Sequence, residues 1–164
     1  MIASSFQAIA TSTSKVLVLG SLPGQESLKR GEYYAHPRNA FWRIVEDLFG
    51  IPATCEYRER TQRLMTAGVA LWDVCAAAHR PGSLDSAIQG ASVNPNDFAT
   101  FFSTHPKVNL IAFNGAKAAE LYRKHVGLTM PRSIVLPSTS PANAGIPYSE
   151  KLERWSEIKR ACET

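Results

Sequence analysis

Two short blocks near the start of the chain hold the residue types best suited to chemistry. A Gly-Ser-Leu-Pro-Gly loop, Gly20 to Gly24, follows an apolar run, and a His-Pro-Arg-Asn-Ala-Phe-Trp block, His36 to Trp42, opens a helical stretch. Glycine permits close backbone approaches and proline stiffens the loop, which suits the holding of a ligand. The same pentapeptide is also typical of an ordinary strand-to-helix turn, and it lacks the signatures of a Walker loop or a dinucleotide site.

The second block places an amide beside two aromatic rings. Asn39 offers both a donor and acceptors, so it could orient a water molecule or read the edge of a base. Phe41 could stack on an extruded base while Trp42 packs into the core, because flipped bases are held between apolar or aromatic side chains. Alternatively, Asn39 caps the helix and both aromatic residues belong to the core, and the block alone favours neither reading.

Further polar residues follow other apolar runs. Asp73 ends one run, where a lone buried carboxylate is costly unless it caps a turn, pairs with an arginine or accepts an N–H group from a ligand. Asn114 ends another and is more often a helix N-cap than a direct ligand contact. The polar loop Ser138 to Asn143 suits phosphate contacts or the gap left by an extruded nucleotide, although such loops are often simple turns.

Four short apolar runs must position these residues. They cover 15–20, 68–73, 108–113 and 133–137, and each predicts a buried strand because polar residues do not alternate with apolar ones. Helices are predicted over 38–49, 57–67, 116–125 and 149–162, and a short one begins near 94–97, whereas 76–93 is predicted as mostly loop. Alternating strands and helices predict an α/β fold with a parallel sheet covered on both faces.

The chemical candidates follow these strands one by one. The loop from Gly20 follows the first strand, Asp73 closes the second, Asn114 follows the third and the loop from Ser138 follows the fourth. In an open parallel sheet the carboxyl ends of the strands share one edge, where ligands bind. Four separate segments are therefore expected to converge on one cleft.

Composition narrows the class of protein. A chain of 164 residues with 45% hydrophobic residues suits one globular domain, and a formal charge of +4 weakly favours a polyanionic partner. Lys29, Arg30, Arg38 and Arg80 could track phosphates, or each could be a solvated charge. The scattered cysteines and histidines predict no disulfide framework and no metal site. Without a signal or membrane-spanning segment, we expect a soluble, cytoplasmic monomer.

Taken in order, these blocks resemble the uracil-DNA glycosylase superfamily. Its mismatch-type members pair a Gly-x-x-Pro-Gly loop with a His-Pro-x-Asn-x-Phe-Trp segment, and the resemblance extends through 16–24, 33–39, 41–42, 68–74, 113–115 and 136–143. The pattern is most similar to the branch of DNA-deoxyinosine, or hypoxanthine-DNA, glycosylases. It covers most of the chain from residue 15 to residue 155.

The resemblance implies a fold and an activity. It implies one domain over 1–164, a three-layer α/β/α fold around a small four-stranded parallel sheet, and a flexible or peripheral segment at 1–14. It also implies a monofunctional glycosylase without a cofactor, which flips a deaminated base out of DNA and removes it by hydrolysis. An ionised Asp73 fits this substrate, since hypoxanthine carries an N–H at N1 and uracil carries one at N3, whereas adenine presents an acceptor at N1.

The resemblance also implies roles for individual residues. Asn39 and Asp73 are the expected catalytic residues, and Phe41 is the expected stacking aromatic. The expected contacts to the extruded nucleotide are Gly20, Ser21, Leu22, Pro23, Gly24, Tyr34, His36, Phe41 and Asn114. The expected contacts to DNA are Arg38, Ser138, Thr139, Ser140, Pro141, Ala142 and Asn143.

One position departs from the wider superfamily. Asp or Asn usually stands immediately before the proline of the first block, where it positions the attacking water, but here that residue is Leu22. We therefore expect Asn39, with the backbone of the first block, to hold the water. No lysine lies in the matched blocks, which predicts base removal without strand cleavage.

Three other functions remain open from the sequence. The first is a glycosylase of the same fold that prefers uracil. The second is a catalytically weak nucleic-acid binder, which Leu22 favours. The third is a hydrolase of free nucleosides, although no run of aspartates follows any predicted strand.

Overall fold

The computed structural model describes residues 2–164. The strands are β1 (Ile2–Ser4), β2 (Val16–Gly20), β3 (Val69–Asp73), β4 (Cys75–His79), β5 (Asn94–Pro95), β6 (Leu110–Asn114) and β7 (Arg132–Leu136). The helices are α1 (Gln25–Arg30), α2 (Phe41–Phe49), α3 (Tyr57–Ala67), α4 (Phe98–Thr104), α5 (Ala116–His125) and α6 (Tyr148–Cys162). Short 3-10 turns cover Asp85–Ala87, Gly90–Ser92 and Pro141–Asn143.

A four-stranded parallel sheet in the order β3-β2-β6-β7 forms the centre of the fold. The register places Gly20 opposite Asp73 and Asn114 opposite Leu136, so the carboxyl ends of the strands lie at one edge. Strands β2 and β6 are buried along their whole length, as expected for apolar strands in a sheet covered on both faces.

Side chains alternate between two apolar clusters on opposite faces of this sheet. Leu17 and Leu19 of β2 pack with residues of α4 and α5 on one face. Val16 and Val18 pack with residues of α2, α3 and α6 on the other face, where Trp155 is among the largest buried side chains. This is the predicted three-layer α/β/α arrangement, and burial of each such Val or Leu contributes about 1.5–3 kcal/mol.

The predicted strands and most predicted helices are confirmed. Each observed strand of the parallel sheet lies within two residues of its apolar run, and α3 and α5 match their predicted ranges. Helix α4 begins after Asp97, whose Oδ1 accepts a hydrogen bond from the Thr100 backbone N–H at 3.1 Å. Helix α2 begins at Phe41 instead of residue 38, and α1 was not predicted.

A second, antiparallel sheet contains β1, β4 and β5. Strand β1 pairs with β4, and Ile9 exchanges backbone hydrogen bonds with Leu71. The segment expected to be flexible or peripheral therefore pairs, over its described residues, with β4 and with β3, the edge strand of the parallel sheet. Met1 lies outside the described residues. The stretch 76–93, predicted as loop, contains most of β4 and two 3-10 turns. Within residues 2–164, no helix has the length and apolar character needed to cross a bilayer.

Candidate active site

A cavity of about 140 Å³ lies beyond the carboxyl ends of the parallel strands. One water needs about 10–15 Å³ of such space, so the cavity accommodates a small ligand. The predicted segments meet here, in the form of the Gly20 loop (Gly20 to Gly24), Tyr34, His36, Asn39, Asp73, Asn114 and part of the Ser138 loop (Ser138 to Asn143). Residues that the sequence did not single out complete the wall, including the start of α1, Ser83 and Asp85.

Asp73 occupies the floor of the cavity and lies against Gly20. A Cβ atom at Gly20 would come within 2.5 Å of Asp73 Oδ1, so only glycine fits opposite this carboxylate. Asp73 is 3% exposed, and its Oδ2 is buried with no hydrogen-bond partner among the described residues. Burial, and next the negative charge of Asp85, raise the pKa of Asp73 to about 7, while the nearby charge of Arg80 acts in the opposite direction.

Tyr34 contributes a second buried polar atom without a partner. No described residue meets both the distance and the angle of a hydrogen bond to its hydroxyl, although the Asn114 side chain lies close enough to lower the pKa of that hydroxyl. Burial is the largest effect and raises this pKa well above its usual range. The backbone of Tyr34 has a φ of 57°, in the left-handed region that non-glycine residues rarely adopt. Buried polar groups are normally satisfied, so two unpaired atoms at one cavity indicate a site for a polar ligand.

Phe41 does not line the cavity, contrary to the prediction. It is completely buried, and its ring packs against those of Tyr34 at 4.3 Å and Trp155 at 5.9 Å between centroids. The helix α2 turns Phe41 into the core, while the left-handed backbone at Tyr34 brings that ring to the cavity. The structure therefore places Phe41 in the core, and the aromatic residues in the cavity wall are Tyr33 and Tyr34.

Asn39 both caps a helix and lines the cavity. Its Oδ1 accepts a hydrogen bond from the Phe41 backbone N–H at 2.9 Å. Because a backbone N–H can only donate, this contact fixes the orientation of the Asn39 amide. The Nδ2 amide makes no hydrogen bond to any residue in 2–164, which leaves a fixed donor for a water or ligand. Asn39 therefore satisfies the backbone N–H of the first residue of α2 and also lines the cavity.

Asn114 fastens the Ser138 loop instead of capping α5. Its Nδ2 donates to the Thr139 hydroxyl and its Oδ1 accepts from the Thr139 backbone N–H, both at 2.9 Å. The Thr139 carbonyl in turn accepts from the Ala40 N–H at 3.0 Å, beside Asn39. The N-cap of α5 is Gly115, so the cap prediction for Asn114 is wrong, and both its polar atoms serve to position the loop.

Residues of the Ser138 loop differ in their access to DNA. Thr139 is 1% exposed, so its predicted DNA contact is replaced by the positioning role just described. Ser140 Oγ accepts from the Ala142 N–H, and Asn143 donates to the Ser138 carbonyl at 3.0 Å. Ala142 is exposed at the tip, while Ser138, Ser140 and Pro141 lie in the cavity wall.

The rim carries the two basic residues of the second block. His36 lines the cavity, and its Nδ1 accepts a hydrogen bond from the Arg38 backbone N–H at 3.1 Å. Arg38 is exposed and does not reach the cavity wall. Arg38 therefore remains available to a partner outside the cavity.

Arg80 and Asp85 are the residues that sequence reasoning missed or misread. Arg80 is 2% exposed and its guanidinium donates to the carbonyls of Leu22, Pro23 and Gly82, so its proposed contact with phosphates is wrong. Asp85 Oδ1 accepts from the Ser21 hydroxyl at 2.5 Å. The contacts with Ser21, Leu22 and Pro23 span 57 to 64 positions of the chain, and nothing in the local pattern of 80–85 signals them.

The site has no predicted or observed metal ligand set. Among residues 2–164, no group of three or more His, Cys, Asp or Glu side chains is placed to hold a metal ion. The described wall instead combines carboxylates, phenols and amides, namely those of Glu26, Asp73, Asp85, Tyr33, Tyr34, Gln25, Asn39 and Asn114. Such groups can recognise a base by hydrogen bonds and orient a water for hydrolysis.

A family comparison agrees with this architecture. A model of the uracil DNA glycosylase superfamily matches residues 6–159. The chain belongs to the uracil DNA glycosylase superfamily. This confirms the resemblance identified from the two sequence blocks, and the α/β fold with it.

Individual relatives of this superfamily member cover nearly its whole length. A Methanosarcina acetivorans protein named hypoxanthine DNA glycosylase is 36% identical over 161 residues, which cover 98% of this chain and 99% of the relative. A Methanosarcina barkeri protein of the same name is 32% identical over 153 residues, or 93% and 94% of the two chains. The solution NMR structure of a Methanosarcina acetivorans protein, described as a candidate uracil DNA glycosylase, matches with a TM-score of 0.85, 35% identity and full coverage of both chains.

The side chain of Leu22, the residue before the proline of the first block, lies in the core. The side chain is 5% exposed and belongs to the apolar cluster under the sheet, although the residue contributes to the cavity wall. Its carbonyl is held by Arg80 at 3.3 Å. Leu22 therefore shapes the loop and offers no side-chain contact to a water.

Proposed function

We propose that this chain is a monofunctional DNA glycosylase that flips a deaminated base into the cavity and hydrolyses its N-glycosidic bond, with hypoxanthine as the preferred base. The observation that carries the proposal is the buried, unpartnered Oδ2 of Asp73 in a cavity of ligand size. The names of the two Methanosarcina relatives support the choice of hypoxanthine.

Asp73 and Tyr34 read the base in this proposal. An ionised Asp73 accepts the N1–H of hypoxanthine, whereas adenine would oppose an acceptor to it. The Tyr34 hydroxyl stays protonated, because burial raises its pKa, and so it remains a donor for the base carbonyl. Phe41 supports the Tyr34 ring from the core.

The other residues of the cavity favour hydrolysis. Asn39 donates its free amide hydrogens to the attacking water, while its oxygen stays on the helix cap. None of the described residues in the wall is a lysine or arginine, so no amine is placed to attack the sugar and the DNA strand is left intact. The nearby carboxylates favour the positive charge that develops on the sugar.

A groove beside the cavity supplies a path for the DNA strand. It has a volume of about 530 Å³, shares Ser83, Asp85, Ser138 and Ser140 with the cavity, and carries Lys117 and Arg154. Positive side chains beside a base-sized cavity suit the phosphates that flank an extruded nucleotide. Ala142 also lines this groove, and the exposed Arg38 is a further candidate contact to DNA. We expect a cytoplasmic monomer that acts on DNA without a cofactor.

Base release from matched duplexes tests the proposal. Duplexes that carry one hypoxanthine, uracil or adenine are incubated with the protein, and strand scission is measured before and after alkali. We expect scission of the hypoxanthine duplex after alkali only. Release of uracil alone would support the superfamily activity and overturn the base preference, and binding of all duplexes without release would favour a non-catalytic binder. An Asn39→Ala protein purified in parallel controls for a contaminating glycosylase.

A further inference from the structure

Hydrolysis needs a group that takes a proton from the attacking water. Leu22 has no such group, and the Asn39 amide orients water but does not take up its proton. The described wall of the cavity contains four other side chains with a carboxylate or an imidazole, namely Glu26, His36, Asp73 and Asp85. Their contacts distinguish them.

Three of the four are engaged elsewhere. Glu26 pairs with Arg30 at 2.9 Å on the surface of α1. The Nδ1 of His36 already accepts a backbone hydrogen bond, so the neutral ring carries its proton on Nε2 and presents a donor. Asp73 reads the base under the proposed function. Asp85 is the remaining carboxylate.

Asp85 is anchored to the loop that contains Leu22. Its Oδ1 accepts from the Ser21 hydroxyl at 2.5 Å, and Ser21 is 5% exposed. The backbone of Ser21 is fixed in turn, because its carbonyl accepts from the Cys75 N–H at 3.1 Å. Asp85 Oδ2 makes no hydrogen bond to any residue in 2–164 and remains available on the cavity side of this anchor.

The surroundings also affect the pKa values of Asp73 and Asp85 differently. Burial raises the pKa of both, but for Asp85 the Ser21 hydrogen bond and the charges of Arg80 and Lys117 act in the opposite direction. Asp73 has no side-chain hydrogen bond to offset its burial, and the charge of Asp85 raises its pKa further. Asp85 therefore stays ionised to lower pH than Asp73, and above about pH 7, the pKa of Asp73, both carboxylates carry their charge.

We infer that Asp85, held by Ser21, is the catalytic base that replaces the missing carboxylate at Leu22. This inference rests on the proposed glycosylase function. Asp85 Oδ2 accepts a hydrogen bond from the water whose oxygen attacks C1′ of the deoxyribose. As the C1′–N9 bond breaks, its electron pair leaves with the base, one water proton passes to Asp85 and the base takes a proton from solvent. Asp85 then releases its proton to solvent, so the net change is the addition of one water.

Single-turnover release of hypoxanthine, with enzyme in excess over DNA, tests the inference. Asp85→Asn keeps the acceptor for Ser21 but loses the base, so we expect release to slow about 10²- to 10⁴-fold. The Kd for the abasic product duplex is expected to stay within about threefold of wild type, because binding does not need the proton transfer. Asp97→Asn is the matched control, since Asp97 lies outside the cavity and Asn caps α4 equally well.

Chemical rescue separates a base from a structural carboxylate. Asp85→Ala opens space beside Ser21, and formate is expected to restore release at least about tenfold in this variant and not in wild type. Release by Asp85→Asn within threefold of wild type would overturn the role of Asp85 alone. A slow variant with equally weakened DNA binding and no formate rescue would also overturn it. Absence of release by the wild type would overturn the proposed function as well.

Discussion

The two sides of the cavity differ in whether their polar groups have hydrogen-bond partners in the free protein. On the anchored side, Asn114, Thr139 and Ala40 satisfy one another, and the Asn114 amide spends both its donor and its acceptor on the loop. On the open side, Asp73 and Tyr34 each keep a buried polar atom without a partner, and Asp85 is held by one oxygen only. The anchored side fixes geometry, and the open side is left for the ligand.

This difference separates the expected effects of substitutions. A change on the anchored side leaves a buried partner unsatisfied, so it lowers stability and affects activity indirectly. A change on the open side removes a group whose burial is unfavourable in the free protein, so it lowers activity without loss of stability. Asn39 joins the two sides, because its oxygen is bonded and its Nδ2 is free.

After Asp85, the largest effect on base release is expected at Asn39. Asn39→Asp keeps an oxygen for the Phe41 N–H but removes the free donor, so release should slow about 10²- to 10³-fold while the melting temperature changes little. Single-turnover assays and thermal melting measure both quantities. Asn39→Ala removes the cap as well and should lose a further ~1 kcal/mol of stability. Normal release by Asn39→Asp would place Asn39 on the anchored side alone.

Asp73→Asn should lower the selectivity for hypoxanthine and raise the stability of the free protein. The preference for hypoxanthine over adenine should fall about 10- to 100-fold, since a hydrogen bond to a charged group contributes about 1.5–3 kcal/mol. The pKa of Asp73 is raised from 3.8 to about 7, so the folded protein binds an extra proton between these values. The free energy of unfolding therefore falls as pH rises through that interval.

The pH dependence of stability checks the same variant. In Asp73→Asn the free energy of unfolding should no longer fall with pH through the titration of Asp73. The variant should therefore melt at a higher temperature than wild type at pH 8. Denaturant titrations at pH 5 and pH 8 measure the difference, with Asp97→Asn as the control for a carboxylate outside the cavity. A less stable Asp73→Asn at pH 8 would contradict the assignment of Asp73 to the open side.

Asn114→Ala should affect stability first. It leaves the Thr139 N–H and hydroxyl without their partner, which costs about 1–3 kcal/mol in the free energy of unfolding. Base release should slow about tenfold, because the loop no longer holds the start of α2 through Ala40. Asn109→Ala, an exposed position near the other end of β6, is the control. Loss of activity without loss of stability would contradict this assignment and would mean that Asn114 acts on the ligand, like the residues of the open side.

The smallest effect is expected for Tyr34→Phe. Loss of the hydroxyl removes one hydrogen bond to the base, so release should slow about 3- to 10-fold, in line with a net value of about 0.5–1.5 kcal/mol. Stability should not fall, since the hydroxyl has no partner in the free protein. Tyr122→Phe is a close control, because its hydroxyl is also buried and unpartnered but lies outside the cavity wall. Equal effects of the two variants on release would contradict the role of Tyr34.

The parallel sheet and its functional edge could be predicted because their signal is local. Apolar runs such as 15–20 define buried strands, and the chain order then places Asp73 and the Ser138 loop at one edge. Asn39 follows no strand of the sheet, and its place in the site is predicted from the resemblance of its block to the superfamily. Hydrophobic patterning and parallel pairing sufficed for the sheet and its edge.

What could not be predicted depends on contacts between distant segments. Tyr34, and not Phe41, lines the cavity, and its backbone is in the left-handed region. A tyrosine in the sequence gives no sign of this conformation, because non-glycine residues rarely adopt it. Asp85 and Arg80 lie in a stretch without periodicity, and their partners are Ser21 and Pro23. Tertiary hydrogen bonds, and not propensity, determine the structure of that stretch.

Arg80 has a consequence for the entropy of ligand binding. Its guanidinium joins the carbonyls of Leu22 and Pro23 to that of Gly82, so the two loops are already held together in the free protein. A site with ordered loops loses less conformational entropy when a ligand enters, which leaves more of the interaction free energy for affinity. Arg80 thus contributes to binding although it does not line the cavity.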